Sequence, residues 1–257
     1  MSGPSHEAIV RRSFERQTAL FEGPQSPFAT RSGSQAWIDP LDAGMAVLDV
    51  ACGAAHAAES VAGRVRVVLG VDLTRPLLQL GAARLRDAGI TNVVLQEANA
   101  ESLPFVDESF DVVFCRSSLH HFGDPPGAVR EMVRVCRTGG RIVLLDIVPP
   151  SAEVRDRFDH VHRLIDPSHV RSFLEPELAD LVPGGMAGLT YANTFSLRLP
   201  LEVALTEQSD RATVSALLRD EIDGSGPPTG FEPEEDDSTL TVVFVTCVVH
   251  GNKRPAA

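Results

Sequence analysis

Lysine is almost missing from this chain: Lys253 is the only one, and arginine supplies the rest of the 23 basic side chains. That imbalance reads as coding bias toward GC-rich codons and carries no chemistry. Basic charge is also outnumbered, with 35 acidic residues and a net charge of −12. No basic stripe is visible, so DNA or RNA is not the expected partner. Aromatic residues are 5% of the chain, with one Trp and one Tyr, which gives no hint of a large stacking platform. The four cysteines, Cys52, Cys115, Cys136 and Cys247, form no C-x-x-C pair and no metal-ligand spacing, so no metal is expected and reduced intracellular thiols are the simplest reading. No apolar run is long enough to span a bilayer, and no basic-then-apolar leader pattern opens the sequence. A cytoplasmic location without a membrane partner follows as the expectation.

What is present is a chain of 257 residues, 43% apolar and 23% charged, which suits one globular α/β domain with a large core. It is organised around Val47-Leu48-Asp49-Val50-Ala51-Cys52-Gly53-Ala54-Ala55-His56. A short apolar run ends in an acidic residue, passes through small residues and enters a helix-competent stretch. That pattern predicts a buried parallel strand, a tight turn and a helix start. Small residues such as Ala51, Cys52 and Gly53 let backbone N–H groups approach a ligand, and a helix N-terminus favours a polar or negative group. Val65 to Val71 predicts a second strand ending at Asp72, nineteen positions after Gly53. An acidic residue about that far beyond a glycine turn is placed to hydrogen-bond a ribose.

Residues 5–22 predict an amphipathic helix closed by Gly23-Pro24, and residues 23–36 a mobile connector leading to Trp37. From residue 45 the alternation is regular: strand 47–51, helix 54–62, strand 65–71, helix 74–88, strand 92–97, strand 110–115 and a helix ending near Arg137. A turn at Thr138-Gly139-Gly140 then leads into strand 141–147. Strands and helices alternating at this spacing give a doubly wound parallel sheet with right-handed crossovers, and ligands bind at the carboxyl ends of its strands. Beyond Pro149-Pro150 the pattern predicts helix 151–165, a short helix near 175–182, a strand over 190–199, helix over 201–222, an exposed acidic loop over 224–238 and a buried strand over 240–249.

Taken in order, Val47–Ala55, Val71-Asp72, Asn99-Ala100, Leu103-Pro104-Phe105, Ser109-Phe110-Asp111, His120-His121-Phe122, Glu131-Met132-Val133-Arg134-Val135 and Gly139-Gly140-Arg141 resemble the motifs of class I S-adenosylmethionine (SAM)-dependent methyltransferases. The nearest likeness is to the ubiquinone/menaquinone-biosynthesis branch, which includes many natural-product tailoring enzymes. The resemblance is strong over 45–150 and looser elsewhere. It implies a Rossmann-like seven-stranded sheet, mostly parallel, with the strand at 240–249 antiparallel. It also implies one domain over 1–257: a helical lid and connector at 1–44, a SAM-binding core at 45–150, and substrate-facing helices with the last two strands at 151–257. The cofactor implied is SAM, with S-adenosylhomocysteine (SAH) as product. The activity implied is methyl transfer to a small molecule, natural-product or quinone-like, with O-methylation favoured over C- or N-methylation, by a monomer or homodimer. A SAM-binding cyclase or pericyclase of the same fold, or a non-catalytic SAM-binding regulator, is the alternative.

The same resemblance implies roles residue by residue. Asp49 and Gly53, with Ala51 and Cys52 in the same turn, lie under the methionine part of SAM. Asp72 binds the ribose hydroxyls, Leu73 packs on the adenine, and Asn99 and Ala100 sit at its edge. Cys115, Arg116 and Ser117 close the pocket. Two departures stand out: Ala55 replaces a glycine of the turn, and Asn99 stands where Asp is frequent. His120 and His121 follow the fourth strand, where substrate binds, and an imidazole there has a suitable pKa for taking a hydroxyl proton; packing and helix capping are the alternative. His169, in Asp166-Pro167-Ser168-His169, is a further catalytic candidate in the substrate-side lid, against an exposed turn. His56, His160 and His162 read as helix-surface histidines. Phe14, Gln17 and Phe21 are candidates for the inner face of a lid helix. Asp124 reads as the cap of a helix opened by Pro125-Pro126.

Overall fold

The computed structural model of the chain describes residues 5–22, 38–182 and 186–255, with side chains described outside 186–195. Helix α1 (His6–Arg16) is capped by Ser5, whose hydroxyl accepts the Ala8 N–H at 3.3 Å. It gives way at Gln17 to a 3₁₀ turn over Thr18–Phe21. The expected connector and Trp37 lie outside the described residues. The regular alternation then runs β1 (Ala46–Val50), α2 (His56–Ala62), β2 (Val67–Asp72), α3 (Arg75–Asp87), β3 (Val93–Glu97), β4 (Phe110–Arg116), α4 (Pro125–Val135) and β5 (Cys136–Val148). The remainder is α5 (Arg155–Ile165), α6 (Glu175–Asp180), β6 (Met186–Pro200), α7 (Leu201–Ala204), α8 (Arg211–Ile222), β7 (Glu234–Asp236) and β8 (Thr239–Lys253).

The strands form one sheet in the order β3-β2-β1-β4-β5-β8-β6. Strands β1 to β5 pair in parallel, and β8 is inserted antiparallel between β5 and β6. The sheet is thus the mixed Rossmann-like one expected, but it has eight strands rather than seven. The extra strand, β7, pairs Glu234 with Thr241 and Asp236 with Thr239. Its two-residue turn, Asp237-Ser238, takes φ of 44° and 66°, the doubly left-handed geometry that matches strand twist in a hairpin. No glycine marks that turn, which is why 224–238 reads as plain loop.

Strand β1 is buried along its whole length. Val47 packs with Val68, Val112, Phe114, Ala58 and Val61 on one face of the sheet. Leu48 and Val50 pack with Val113, Cys115, Met132 and Leu144 on the other. A strand covered by helices on both faces needs such a continuous apolar run. Helix α4 starts where Asp124 accepts the Gly127 N–H at 3.0 Å. Its Arg134 guanidinium donates to the Leu103 and Phe105 carbonyls at 3.0 and 2.8 Å and pairs with Glu131 and Asp107. The Leu-Pro-Phe and Glu-x-x-Arg motifs are therefore two halves of one structural clamp.

Three further expectations change. Thr138-Gly139-Gly140 does not break before β5 but lies within it: Cys136 pairs with Phe110, and pairing resumes at Arg141 against Val112. A Cβ on Gly140 would sit 2.8 Å from the Asp111 and Arg137 carbonyl oxygens, so the two glycines form a bulge under close backbone approach. The helix expected over 201–222 is interrupted between α7 and α8, where Thr206 and Ser209 hydroxyls bond the Ile165 carbonyl. The acidic loop is not wholly exposed: Phe231 is fully buried and stacks on Phe158 with centroids 4.3 Å apart and planes 10° from parallel. These two rings join α5, α8, β6 and β8 in a third apolar cluster. Phe231→Ala is expected to cost about 3–5 kcal/mol, measured as a lowered urea midpoint with an unchanged slope.

Candidate functional site

A cavity of about 390 Å³ opens at the carboxyl ends of the parallel strands and is closed over by α1. It lies where the strand order reverses between β1 and β4, the switch point at which doubly wound sheets bind ligands.

At one end sits the turn after β1. Asp49 is 1% exposed, and its Oδ2 accepts the Ala58 N–H at 3.1 Å, tying α2 to the strand. The chain then takes φ of 57° at Ala51, 53° at Gly53 and 61° at Ala55. Only glycine adopts that conformation freely; an alanine loses about 1–2 kcal/mol there. Ala55 thus holds a backbone conformation that glycine would adopt without that cost. Three contacts hold the turn: Cys52 N–H to the Val71 carbonyl at 2.9 Å, Gly53 N–H to Asp72 Oδ2 at 2.9 Å, and Ala55 N–H to the Cys52 carbonyl at 2.9 Å. Asp72 Oδ1 also accepts the Thr74 N–H at 2.8 Å. A carboxylate offers about four acceptor sites, so these contacts orient Asp72 without exhausting it.

Asp49, Ala51, Cys52, Gly53, Asp72, Leu73, Asn99, Ala100, Arg116 and Ser117 all line the cavity. Asn99 Oδ1 accepts the Glu101 N–H at 2.8 Å, which fixes the amide plane. Cys115 does not line it and stands as a correction: β4 alternates, so its side chain is fully buried in the core face with Leu48 and Val50. Burial also pushes the Cys115 thiol pKa well above its ordinary value, with Asp146 adding to the effect.

The other end is a wall of histidines. His120 and His121 lie in the 3₁₀ turn Leu119–His121 after β4 and line the cavity. Asp146 of β5, fully buried, accepts the His120 ring at Nδ1 (2.5 Å) and its backbone N–H (3.0 Å). Burial disfavours the His120 charge, but the Asp146 carboxylate outweighs it and the pKa rises above the ordinary histidine value. His121 is different: burial and the neighbouring His120 lower it to about 4. Its Nδ1 lies 3.0 Å from the Ser168 hydroxyl, which donates to Asp166 Oδ1 at 2.7 Å.

His169 is not among the cavity-lining residues, a second correction. Its Nε2 bonds Asp159 at 2.8 Å, and its ring stacks on His162 at 4.0 Å. His162, which reads as a surface residue, is 5% exposed, lines the cavity and packs against His120, Phe231 and Phe244. His160 is exposed as expected. Sequence reasoning missed Asp146 and His162 as site residues. The fourfold spacing from Phe158 to His162 offers a signal, since α5 buries that face.

Helix α1 and the 3₁₀ turn after it complete the enclosure, with Phe14 of the helix, Gln17 at its end and Phe21 of the turn lining the cavity. Phe14 meets His121 edge-on at 4.9 Å. Gln17 and Ser13 both donate to the buried Asp166 carboxylate at 3.1 Å. His56 is no surface residue either: it is buried beneath the 3₁₀ turn, where its Nε2 lies 3.1 Å from the Phe21 carbonyl oxygen. Burial and Arg84 lower its pKa to about 4.

A family described as a methyltransferase domain matches residues 48–144. An uncharacterized methyltransferase of Bacillus subtilis, YcgJ, is 44% identical over 126 residues, 49% of this chain and 50% of that protein. Its crystal structure superposes with a TM-score of 0.74 at 29% identity, over 84% of this chain and 94% of that one. The uncharacterized YafE of Escherichia coli is 36% identical over 55% of this chain and 68% of its own length. The ubiquinone/menaquinone biosynthesis C-methyltransferase UbiE of Shewanella frigidimarina is 39% identical over 43% of this chain and 46% of its own. The matched stretch thus spans about half the length of YcgJ and UbiE. The [4+2]-cyclase SpnF shares the fold alone, with a TM-score of 0.67 at 18% identity over 100% of this chain and 99% of that one. Among the described residues, no helix is long and apolar enough to cross a membrane.

Asp49 yields a prediction about the ligand-free protein. Burial, opposed by Arg116, pushes its pKa up to about 7. Between the ordinary aspartate value and that point, the folded chain holds a proton that the unfolded chain has released. Stability from this group therefore falls as pH rises through that window, by up to about 1.4 kcal/mol per unit. Asp49→Asn, which keeps an acceptor for Ala58, is expected to raise the melting temperature at pH 8. Below pH 4 the gain should vanish. A gain independent of pH in differential scanning fluorimetry would contradict the assignment.

Proposed function

We propose that this chain, which belongs to the class I SAM-dependent methyltransferases and takes SAM as its cofactor, methylates a hydroxyl of a neutral small molecule. The observation that carries the reading is His120, held by the buried Asp146 carboxylate in the same cavity as the Asp72 turn.

The residues present fit the cofactor. The Asp72 carboxylate faces the cavity with acceptor capacity left for a ribose diol, and Leu73 and Ala100 offer small apolar contacts for an adenine. The second lone pair of Asn99 Oδ1 and its Nδ2 suit the adenine edge. Gly53, with Asp49, Ala51 and Cys52, would hold the methionine part: a Cβ at Gly53 would come within 3.2 Å of the Phe21 ring, so the lid leaves no side-chain room there. Arg116 and Ser117 would close that end. Bound SAM supplies a methyl group already activated on a positively charged sulfur.

The chain's own contribution is then position, dryness and a proton acceptor. Since Asp146 can only accept when ionised, the His120 hydrogen sits on Nδ1 and Nε2 carries the lone pair. That nitrogen would take the hydroxyl proton as methyl transfer proceeds. His121 would orient the acceptor: Ser168 donates to Asp166, so its oxygen accepts from His121 Nδ1 and leaves Nε2 as an acceptor too. His169 would serve behind the wall rather than as a catalytic residue. Helix α1, latched to Asp166, excludes water. The substrate-side walls are apolar at Ile147, Leu197, Leu199, Val203 and Phe244, while Glu7, Glu101 and Asp166 supply acidic groups. That lining suits a neutral natural-product or quinone-like acceptor better than an anion. Proton removal by His120 favours O-methylation over the C-methylation named for UbiE.

Two measurements test this. SAH at 100 times its Kd should add about 2.7 kcal/mol of stability, a rise of roughly 5–11 °C at this chain length, and Asp72→Ala should remove that rise. Against a panel of phenols, sugars and hydroxylated quinones, the wild-type chain should release one SAH per methylated product. Asp146→Asn and His120→Ala should cut turnover about 10²–10³-fold while keeping the SAH-induced rise. Unchanged turnover in both variants would refute the proton-acceptor role. Tight SAH binding with product formed and no SAH released would favour the cyclase alternative.

A further inference from the structure

We propose that His120, His162 and His169 form a three-imidazole site for one divalent transition-metal cation, with zinc as the first choice. They come from three separate segments, the turn after β4, helix α5 and the loop after it. No short spacing in the sequence could reveal them.

One ring nitrogen from each of the three lies within 4.8 Å of the others. The ring centroids of His120 are 5.4 Å from His162 and 5.5 Å from His169, and the last two are 4.0 Å apart. Three imidazoles on one tetrahedral zinc, bound at about 2.0–2.1 Å, have nitrogens about 3.4 Å apart and centroids about 5 Å apart. Two of the three ring separations already suit that arrangement. The His162–His169 stack must open by about 1 Å.

The nitrogens left over argue in the same direction. His120 spends Nδ1 on Asp146 at 2.5 Å, and His169 spends Nε2 on Asp159 at 2.8 Å. A carboxylate on the far nitrogen is the usual support of a metal-bound imidazole: it fixes the tautomer and turns the other nitrogen toward the cation. That leaves Nε2 of His120 and Nδ1 of His169. Nδ1 of His169 and Nδ1 of His162 are both buried without a hydrogen-bond partner. A hydrogen-bonded histidine cluster would not leave two such atoms orphaned in one place; a cation accounts for them. Asp146 and Asp159 are both buried, and their ion-pair partners are these same histidines. Two carboxylates on a three-imidazole set match a divalent charge.

The donor set selects the ion. Three neutral nitrogens suit zinc, cobalt, nickel or copper and not magnesium or calcium, which require oxygen. His120 and His162 line the cavity, so the remaining position faces it and takes an oxygen from water or a hydroxyl. With the cation seated, Nε2 of His120 is a ligand and no longer a proton acceptor, so one-to-one uptake would replace the proton-acceptor role proposed for His120 and leave methyl transfer itself in place; an acceptor hydroxyl would bind the open position. Only that contact rests on the function proposed above; the binding site does not.

The test uses the untagged 257-residue chain, freed of metal with a chelator, and binding as readout. Zinc should be taken up at one equivalent per chain in competition with a chromophoric chelator. Cobalt should give the intense visible bands of a four-coordinate site. His162→Ala and His169→Ala should each abolish the bands, and Asp159→Asn, the milder change, should weaken uptake about 10–100-fold. The SAH-induced melting shift, read in the same samples, certifies folding. No one-to-one uptake by the wild-type chain, or uptake unaltered in the folded variants, would overturn the site. Failed uptake leaves the methyl-transfer reading standing, and absent methyl transfer leaves the uptake result standing.

Discussion

The Asp72 carboxylate, clamped between the N–H groups of Gly53 and Thr74, is the contact on which the rest of the cavity depends. It joins the end of β2 to the turn after β1, where Ala51, Gly53 and Ala55 all take left-handed backbone. Two alanines in that conformation cost about 1–2 kcal/mol each. Such strain persists only where surroundings over-determine it. Here they do: Asp72 holds the turn from β2, Val71 holds Cys52, and Asp49 holds α2 from below. The turn is therefore rigid before any ligand arrives, and its N–H groups and carboxylates face the cavity in a set geometry.

The histidine wall is built on the opposite plan. No local turn creates it. His120 is placed by Asp146 on the neighbouring strand, His121 by Ser168 and Asp166 beyond α5, and His169 by Asp159 within α5. Each contact crosses from one segment to another, and each pairs an imidazole with a carboxylate or a hydroxyl bonded to one. The N-terminal segment is part of the same network, since Ser13 of α1 and Gln17 at its end bond the carboxylate that orients Ser168. The contacts that seat the N-terminal segment over the cavity and those that order His121 thus share one carboxylate, Asp166.

These two plans explain what could be read from the sequence. The turn, Asp72 and the strand–helix alternation were legible because they are local: small residues, an acidic strand end and apolar runs lie close together along the chain. The clamp between Arg134 and the Leu103–Phe105 stretch was visible as recurring motifs, though not as one device. Cys115 was misplaced by one position, since strand alternation sends it into the core while Arg116 meets the cavity. Asp146 and the placement of His169 behind the cavity were out of reach, and His162 was marked only by its spacing from Phe158. Which face α5 buries depends on the Phe158–Phe231 stack, and Phe231 comes from a stretch so acidic and glycine-rich that nothing in it announces a buried ring. The eighth strand escaped for a related reason, its turn being left-handed without a glycine.

A charge argument ties the two ends together. Asp49 and Asp72 sit at one end and Asp146, Asp159 and Asp166 behind the other, all buried or half-buried. Burial raises the proton affinity of Asp49 and Asp72, so each gains when a positive group arrives. Asp166 instead sits below the usual carboxylate range: burial opposes its ionisation, but His121 and the hydrogen bonds from Ser168 and Gln17 prevail. A cavity so walled is held ready for positive charge at both ends and apolar between them. The sulfonium cofactor would meet one end, as proposed above. At the other, the cation proposed above would supply the charge through the buried, unpartnered nitrogens of His162 and His169.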